Sequence, residues 1–386
     1  MISRENMVEI ADREMGEGGL FVYDSQAMEQ TAQELLDTEM PYGMTVRYAA
    51  KANPHPGVVR LFDGMGVHFD ASSAQEARYL LGRGIDGEKI SLSSQNLRDN
   101  TDLRDAIEQD VLPVATTLRQ VSMLGAVGLG EIAVRINPGE GSGHNNRTTV
   151  GGPASSFGIW KDQLPEVLQE ADRHDMGIDR IHTHIGSGVD PSAWRDTMIR
   201  SLGIVEQCPD VKTLDIGGGY KIARMPEEEA TDMDEVLGIF AEELERFADR
   251  TGREIHLEIE PGTFLVGNAG TLLGRVEEAV STDMYDFLKL NVGMNAILRP
   301  SLYGAQHPIE VLNDSEEEQD YVVVGPCCES GDILTPAPGN PEEILPRRLR
   351  KAVVGDYVAI GGAGAYCASM SASKYNHIPP ADELVV

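Results

Sequence analysis

Between residues 28 and 265 the sequence alternates about eight times between short β-forming runs and helical stretches, and nothing else limits the fold so strongly. Strands are expected at 46–51, 67–70, 89–92, 111–114, 132–136, 180–184, 211–216 and 254–260. The segments between them carry helix periodicity, clearest in Val236, Phe240, Leu244 and Phe247, with Thr231 or Asp232 as the cap. Alternation of this kind builds parallel strands joined by crossover helices. A closed parallel (β/α)8 barrel and an open doubly wound sheet both satisfy it. The barrel is expected, because polar and glycine-rich motifs follow many different strands, and barrel sites collect residues from several strand ends.

After Gly262 the texture changes. TLLGRVEEAV, YVVVG and DYVAIGGAG are short β-rich runs with little helical pattern between them. They predict a second, mostly antiparallel β domain, which the early strand in GLFVYDS (residues 19–25) can join. The expected division is a barrel at 28–265, with 1–27 and 266–386 forming the other domain. Within the barrel the stretch from Asn137 to Gly158 is a long loop rich in Gly, Asn and Ser, suited to a mobile cover over a site. Glu227–Glu229 and Glu316–Glu318 read as solvated loop charges.

Charge narrows the partners. The net charge is −31, from 63 acidic and 32 basic residues, which argues against nucleic acid and anionic membranes. Only eight of the basic residues are lysines. An acidic, lysine-poor surface predicts a salt-rich cytoplasm, and an ordinary acidic protein has the same sign of charge. No apolar run approaches the ~20 residues of a spanning helix. MISRENMVEI contains no apolar leader, and Cys208, Cys327, Cys328 and Cys367 form no C-x-x-C pair, so a reducing cytoplasm is expected.

The chemistry gathers at strand ends. In VRYAAKANP, Lys51 closes an apolar run that Asn-Pro stops. A lysine there either snorkels to water or, held on an apolar wall, loses its proton readily and forms a Schiff base with an aldehyde. Asp215 precedes Gly217-Gly218-Gly219, whose bare amides suit a phosphate or simply a tight connection. His182 and His184 share one face of a strand. They read as a metal pair or as ring-stacking groups, with Ser187 reaching a phosphate, and the second fits better because no matching ligand spacing accompanies them. Glu260, in EIEPG, can hold a protonated ring nitrogen or a salt bridge, and Arg135 can meet a phenolate oxygen. Together these are the needs of pyridoxal 5'-phosphate.

FVYD, YAAKAN, HTHIGSGV, LDIGGGY, EIEPG, RPSLYG, GPCCESGD and GAGAYCASMSASKYN follow one another across nearly the whole chain. In that order they resemble the group IV amino-acid decarboxylases of alanine-racemase fold (pyridoxal-phosphate fold type III), closest among them to the diaminopimelate decarboxylases. The resemblance implies that Lys51 carries the cofactor covalently, His184 stacks on its ring and Glu260 pairs with the ring nitrogen. It places Asp70, Arg135, Ser187, Gly218, Gly219, Gly262, Thr263 and Tyr366 around the cofactor, and no metal. Arg299, Tyr303 and Tyr366 would bind substrate. Cys328, as proton donor, and Glu329, on the distal amine, would enter from the partner of a homodimer.

Three departures stand out: Thr263 where the family has arginine after EPG, Ser156 where a lysine commonly precedes FG, and SASKYN for the final SSNYN. The implied reaction takes meso-2,6-diaminopimelate to L-lysine and carbon dioxide. Alternatives are decarboxylation of another diamino acid (D- or L-ornithine or lysine), a racemase, or a non-catalytic carrier of the cofactor.

Overall fold

The computed structural model describes residues 2–139, 141, 151–184 and 186–386. The middle of the loop expected to cover the site, 142–150, lies outside the described residues. A first strand, β1 (Leu20–Tyr23), is followed by β2 (Met44–Ala49), β3 (His68–Ala71), β4 (Ile90–Ser93), β5 (Leu112–Ala115) and β6 (Glu131–Asn137). After a short β7 (Ile159–Trp160) come β8 (Gly177–His182), β9 (Thr213–Asp215) and β10 (His256–Ile259). Eight of these close a parallel barrel in the order β5-β4-β3-β2-β10-β9-β8-β6, with β6 returning to β5, and β7 extends the edge of β6. The closed barrel was the expected choice over the open sheet.

Most of the barrel's helices start at a side-chain cap placed just before them. Ser73 accepts from the Glu76 N–H, Asn100 from Leu103, Thr117 from Gln120 and Asp232 from Glu235. Each such cap contributes about 1 kcal/mol and fixes where a helix begins. The helices then bury one face on the barrel. Trp194 stacks on Tyr220 at 5.0 Å and meets the edge of Phe240, locking Pro191–Glu206 to Met233–Thr251.

The barrel interior is charged below the site. Arg47, 2% exposed, donates to both oxygens of Glu258 at 2.9 and 2.8 Å, and Arg180 lies 3.4 Å from the same carboxylate. Such a buried pair adds little net stability, but losing one partner strands the other and costs about 3–5 kcal/mol. It therefore fixes the relative height of β2, β8 and β10.

The second domain is built on the long strand β11 (Gly270–Ser281), with β12 (Asp286–Leu290), β13 (Ile309–Val311), β14 (Glu318–Val324), a β15–β16 hairpin (Pro336–Ala337, Asn340–Ile344), β17 (Arg347–Arg350), β18 (Tyr357–Ile360) and β19 (Asp382–Val385). Most pairings are antiparallel; β1–β19 and β12–β14 are parallel. β1 lies antiparallel to β11, so the N-terminal strand sits in this sheet. The domain grips the barrel at the Lys51 turn. The Tyr366 N–H donates to the Ala52 carbonyl at 2.8 Å, and Asn53 Nδ2 donates to the Gly364 carbonyl at 3.1 Å. Among the described residues no helix is long and apolar enough to cross a membrane.

Candidate active site

A cavity of roughly 1130 Å³ opens where the C-terminal ends of the barrel strands meet the second domain. Lys51 stands in it. It is not the last strand residue, as expected, but sits in a 3-10 turn, Ala50–Ala52, just past β2. Its Nζ lies 3.4 Å from Oδ2 of buried Asp70, whose Oδ1 accepts from Ser93 Oγ at 2.8 Å. The side chain is 44% exposed, and it opens into the cavity. Burial pulls its pKa down, and Asp70, then Tyr366 and Glu260, outweigh that, so the pKa is raised. This corrects the expectation of an easily deprotonated lysine: the wall beside it carries a carboxylate.

Facing Lys51 are Arg135 and His184. Arg135 lies two residues before the end of β6, is 8% exposed, and has its guanidinium 5.5 Å from the Phe157 ring. It forms no ion pair with a described residue within 4 Å, and burial pulls its pKa down. His184 lies beyond the end of β8 and not on the strand face with His182, another correction. Burial, then Arg135 and Lys51, hold its pKa well below the usual histidine range, so its ring is neutral, and its Nδ1 has no partner.

The glycine turn is shaped by these neighbours. Gly217 has φ +75°, and a Cβ there would fall 2.8 Å from the His184 ring. A Cβ on Gly218 would meet the Glu260 carbonyl at 2.1 Å, and one on Gly219 the Gly186 carbonyl at 1.7 Å. Gly218 and Gly219 line the cavity, as do Gly186 and Ser187 from the turn after β8. Neither the Gly218 nor the Gly219 N–H bonds to a described residue. Two backbone turns thus close on one spot where the Gly218 and Gly219 amides are unbonded, an arrangement suited to an anion.

Glu260 follows β10 and is buried, with Oε1 unpartnered and Oε2 3.6 Å from His182 Nε2. Burial, then Asp215 and Asp70, push its pKa well up. Asp215 is raised to about 7, by burial and then Glu258. His182, Asp215 and Glu260 offer donor atoms within 4.8 Å of one another, which a divalent cation could use. Burial, then Arg135, His184 and Lys51, hold the His182 pKa well below the usual histidine range, and the positive charges of Arg135 and Lys51 beside the cluster disfavour a cation there.

The far wall comes from both domains. Thr263 opens the four-residue helix after Gly262, at whose Cβ position the Tyr366 hydroxyl would be 3.2 Å away. Tyr366 holds φ +55°, a strained value kept by its bond to Ala52. Arg299 and Tyr303 share the short helix Arg299–Tyr303, with the guanidinium over the phenol ring at 5.9 Å. Arg299 Nε is buried without a partner. Two residues of this wall escaped the sequence reading. Arg224 lines it, and Glu228, read as a solvated charge, lines it too and accepts from the Arg224 N–H at 2.8 Å.

Cys328 and Glu329 are not brought to this cavity. Both are exposed. The Cys328 N–H donates to Asn376 Oδ1 at 2.7 Å, and the Tyr375 hydroxyl to the Cys328 carbonyl at 3.4 Å, tying GPCCESGD to SASKYN.

The unpaired polar atoms fit pyridoxal 5'-phosphate. It needs an amine for its aldehyde, donors for a phosphate, a cation for its phenolate, a neutral ring beside it and a carboxylate for the ring nitrogen. Lys51, the Gly218–Gly219 amides, Arg135, His184 and the free oxygen of Glu260 are those groups in one cavity.

Comparison with known proteins agrees. A family model described as "Pyridoxal-dependent decarboxylase, pyridoxal binding domain" matches residues 27–267. A diaminopimelate decarboxylase of Streptomyces coelicolor is 32% identical over 380 residues, 95% of this chain and 84% of its own. One from Methanothermobacter thermautotrophicus is 35% identical over 360 residues, 88% of this chain and 79% of its own. A crystal structure of diaminopimelate decarboxylase superposes with a TM-score of 0.90 at 31% identity, covering 99% of this chain and 92% of that one.

Proposed function

The chain belongs to the pyridoxal-dependent decarboxylases of alanine-racemase fold, and on that premise we propose that it converts meso-2,6-diaminopimelate to L-lysine and carbon dioxide. The observation that carries the substrate is Arg299. Its buried Nε faces no partner in a cavity that elsewhere supplies what the cofactor needs. A buried guanidinium nitrogen left unpaired is costly, and a second carboxylate on the substrate would remove that cost. Lysine and ornithine lack that carboxylate.

Pyridoxal phosphate, when bound, supplies the electron sink for breaking the carbon–carboxylate bond. The chain's residues place and tune it. Lys51 would supply the amine that holds the cofactor's aldehyde. The Gly218–Gly219 turn and Ser187 would hold the phosphate, with Gly262 and Thr263 lining the same cavity. Arg135 would compensate the phenolate, and His184, kept neutral, would meet the ring without adding charge. Glu260 would favour a proton at the ring nitrogen. Its carboxylate is costly alone in this buried site, so a cationic partner is favoured. Asp70 orients Lys51, and Tyr366 covers the site.

Protonation of the carbon that loses carbon dioxide is assigned to Cys328, and binding of the distal amine to Glu329, both from the partner subunit of a homodimer. The support is their exposure outside their own cavity together with the family motif. A reducing, salt-rich cytoplasm is the proposed setting, supported by four free cysteines and the net charge of −31.

The test is carbon dioxide release in high salt with added cofactor, from meso-diaminopimelate and both enantiomers of lysine, ornithine and arginine. Diaminopimelate should be preferred. Preference for a one-carboxylate substrate would refute the assignment, and racemisation without carbon dioxide would place the chain among the racemases.

A further inference from the structure

We propose that Arg224 is a specificity-determining residue that binds the substrate's second carboxylate together with Arg299. This rests on the reading of a two-carboxylate substrate and names the group that completes its anion site. Arg224 lines the same cavity wall as Arg299 and Tyr303. Its Nε donates to the Gly362 carbonyl at 2.9 Å, which fixes the guanidinium, while its Nη2 is buried with no partner. Arg299 beside it also has a buried Nε with no partner. Among the described residues no carboxylate lies within 4 Å of either guanidinium. Glu228 accepts from the Arg224 backbone instead. Two guanidiniums that repel each other, with no carboxylate in ion-pair contact, favour an anion between them. Burial, then the Arg299 charge, lower the Arg224 pKa to about 9.

The anion belongs to the substrate and not to the cofactor's phosphate. Arg224 is held against the second domain, through the Gly362 carbonyl, on the wall that Arg299 and Tyr303 line, whereas the glycine turn that suits the phosphate packs on His184, Gly186 and Glu260 of the barrel. The chain also explains how an arginine from the loop after the glycine turn reaches this wall. Asn268 Nδ2 donates to the Ala223 carbonyl at 3.1 Å. Ile222 Cδ1 and Thr263 Cγ2 both crowd the Cβ position of Gly267, at 2.3 and 3.3 Å. The segment 222–224 is thus docked on the helix that Thr263 opens, and the short Thr263 side chain leaves that wall to Arg224.

The experiment compares wild type with Arg224→Gln and Arg224→Lys. Steady-state constants for meso-diaminopimelate are measured with the cofactor saturating, and pyridoxal phosphate affinity of the cofactor-free protein is measured by fluorescence. Loss of one charged hydrogen-bonding partner should raise KM about 10- to 100-fold with kcat little changed. Cofactor affinity should stay as in wild type. Arg224→Lys should give a smaller rise, and it reads the same effect if the glutamine variant does not fold. An unchanged KM, or a fall in cofactor affinity with KM unchanged, overturns the inference, the second result assigning Arg224 to the phosphate. Wild-type preference for lysine or ornithine overturns the substrate reading first, and this inference with it.

Discussion

Lys51 Nζ stands 3.4 Å from Asp70 Oδ2, and Ser93 Oγ donates to the other oxygen of that carboxylate. The lysine is therefore a stored ammonium rather than a ready nucleophile. Its pKa is raised, so before the cofactor arrives it stays protonated across the neutral range. The sign follows from linkage. The folded chain holds this proton more tightly than the unfolded chain does, so the pair stabilises at neutral pH and its contribution is lost as pH rises through the raised lysine pKa.

Asp70→Asn should accordingly speed capture of pyridoxal phosphate by the cofactor-free protein. Only neutral amine adds to an aldehyde, and each unit of fall in the lysine pKa raises the neutral fraction about tenfold. The pH profile of capture should shift to lower pH and the variant should lose some stability at pH 7. An unshifted profile would show that Asp70 does not set the charge on Lys51.

Asp215→Asn should stabilise the cofactor-free protein in a pH-dependent way. The folded carboxyl is raised to about 7, by burial and then Glu258, against about 3.9 in an unfolded chain. The folded state thus binds more protons between those values, and ionisation of Asp215 costs stability as pH rises through that window. The amide oxygen can still accept from the Gly217 N–H, which donates at 2.8 Å. The melting temperature should rise by several degrees at pH 8 and stay unchanged near pH 4. An equal change at both values would mean that packing, and not charge, decides.

The barrel was legible because its pattern is local. Each expected strand overlaps an observed one, and period-two alternation puts Glu258 on the inner face of β10, with Glu260 in phase just beyond its end, while Leu257 and Ile259 point the other way. Strand ends were less legible, since a strand stops where its neighbours' ladders stop. β8 ends at His182 because β9, its partner, ends at Asp215. His184 therefore lies off the strand, although the residues alone place it in phase with His182. Arg224 and Glu228 could not be read at all. Their place depends on the loop 222–224 docking on residues 263–268, a contact between segments about 40 residues apart. The raised pKa of Lys51 was hidden for the same reason: Asp70 comes from the next strand.

Shared sites can be tested by complementation. Lys51→Ala chains and Cys328→Ala chains should each be inactive alone. In a mixed dimer, the site built from intact Lys51 of one chain and intact Cys328 of the other is whole. Random re-pairing should then restore about a quarter of wild-type activity, since half of the dimers are mixed and each holds one whole site. Verified heterodimers without activity would place Cys328 outside the site.

Salt is the remaining lever. The charge of −31 comes with few lysines, and many of the ion pairs that exist are exposed, such as Arg104–Asp99 at 2.6 Å and Lys351–Glu317 at 2.6 Å. Exposed pairs of this kind contribute little each, about 0–1 kcal/mol, and screening weakens them. Repulsion among the unmatched carboxylates is screened as well, and 63 acidic groups against 32 basic ones leave far more repulsion than attraction to lose. Screening should therefore stabilise on balance. The Debye length falls from about 30 Å at 0.01 M to about 3 Å at 1 M, so the gain should come largely within that range. The melting temperature should rise steadily from millimolar to molar potassium chloride. The buried Arg47–Glu258 pair, shielded from ions, should add nothing to the slope, so Arg47→Met should lower the melting temperature at every salt concentration by a similar amount. A flat melting temperature in wild type would remove the case for a salt-rich cytoplasm.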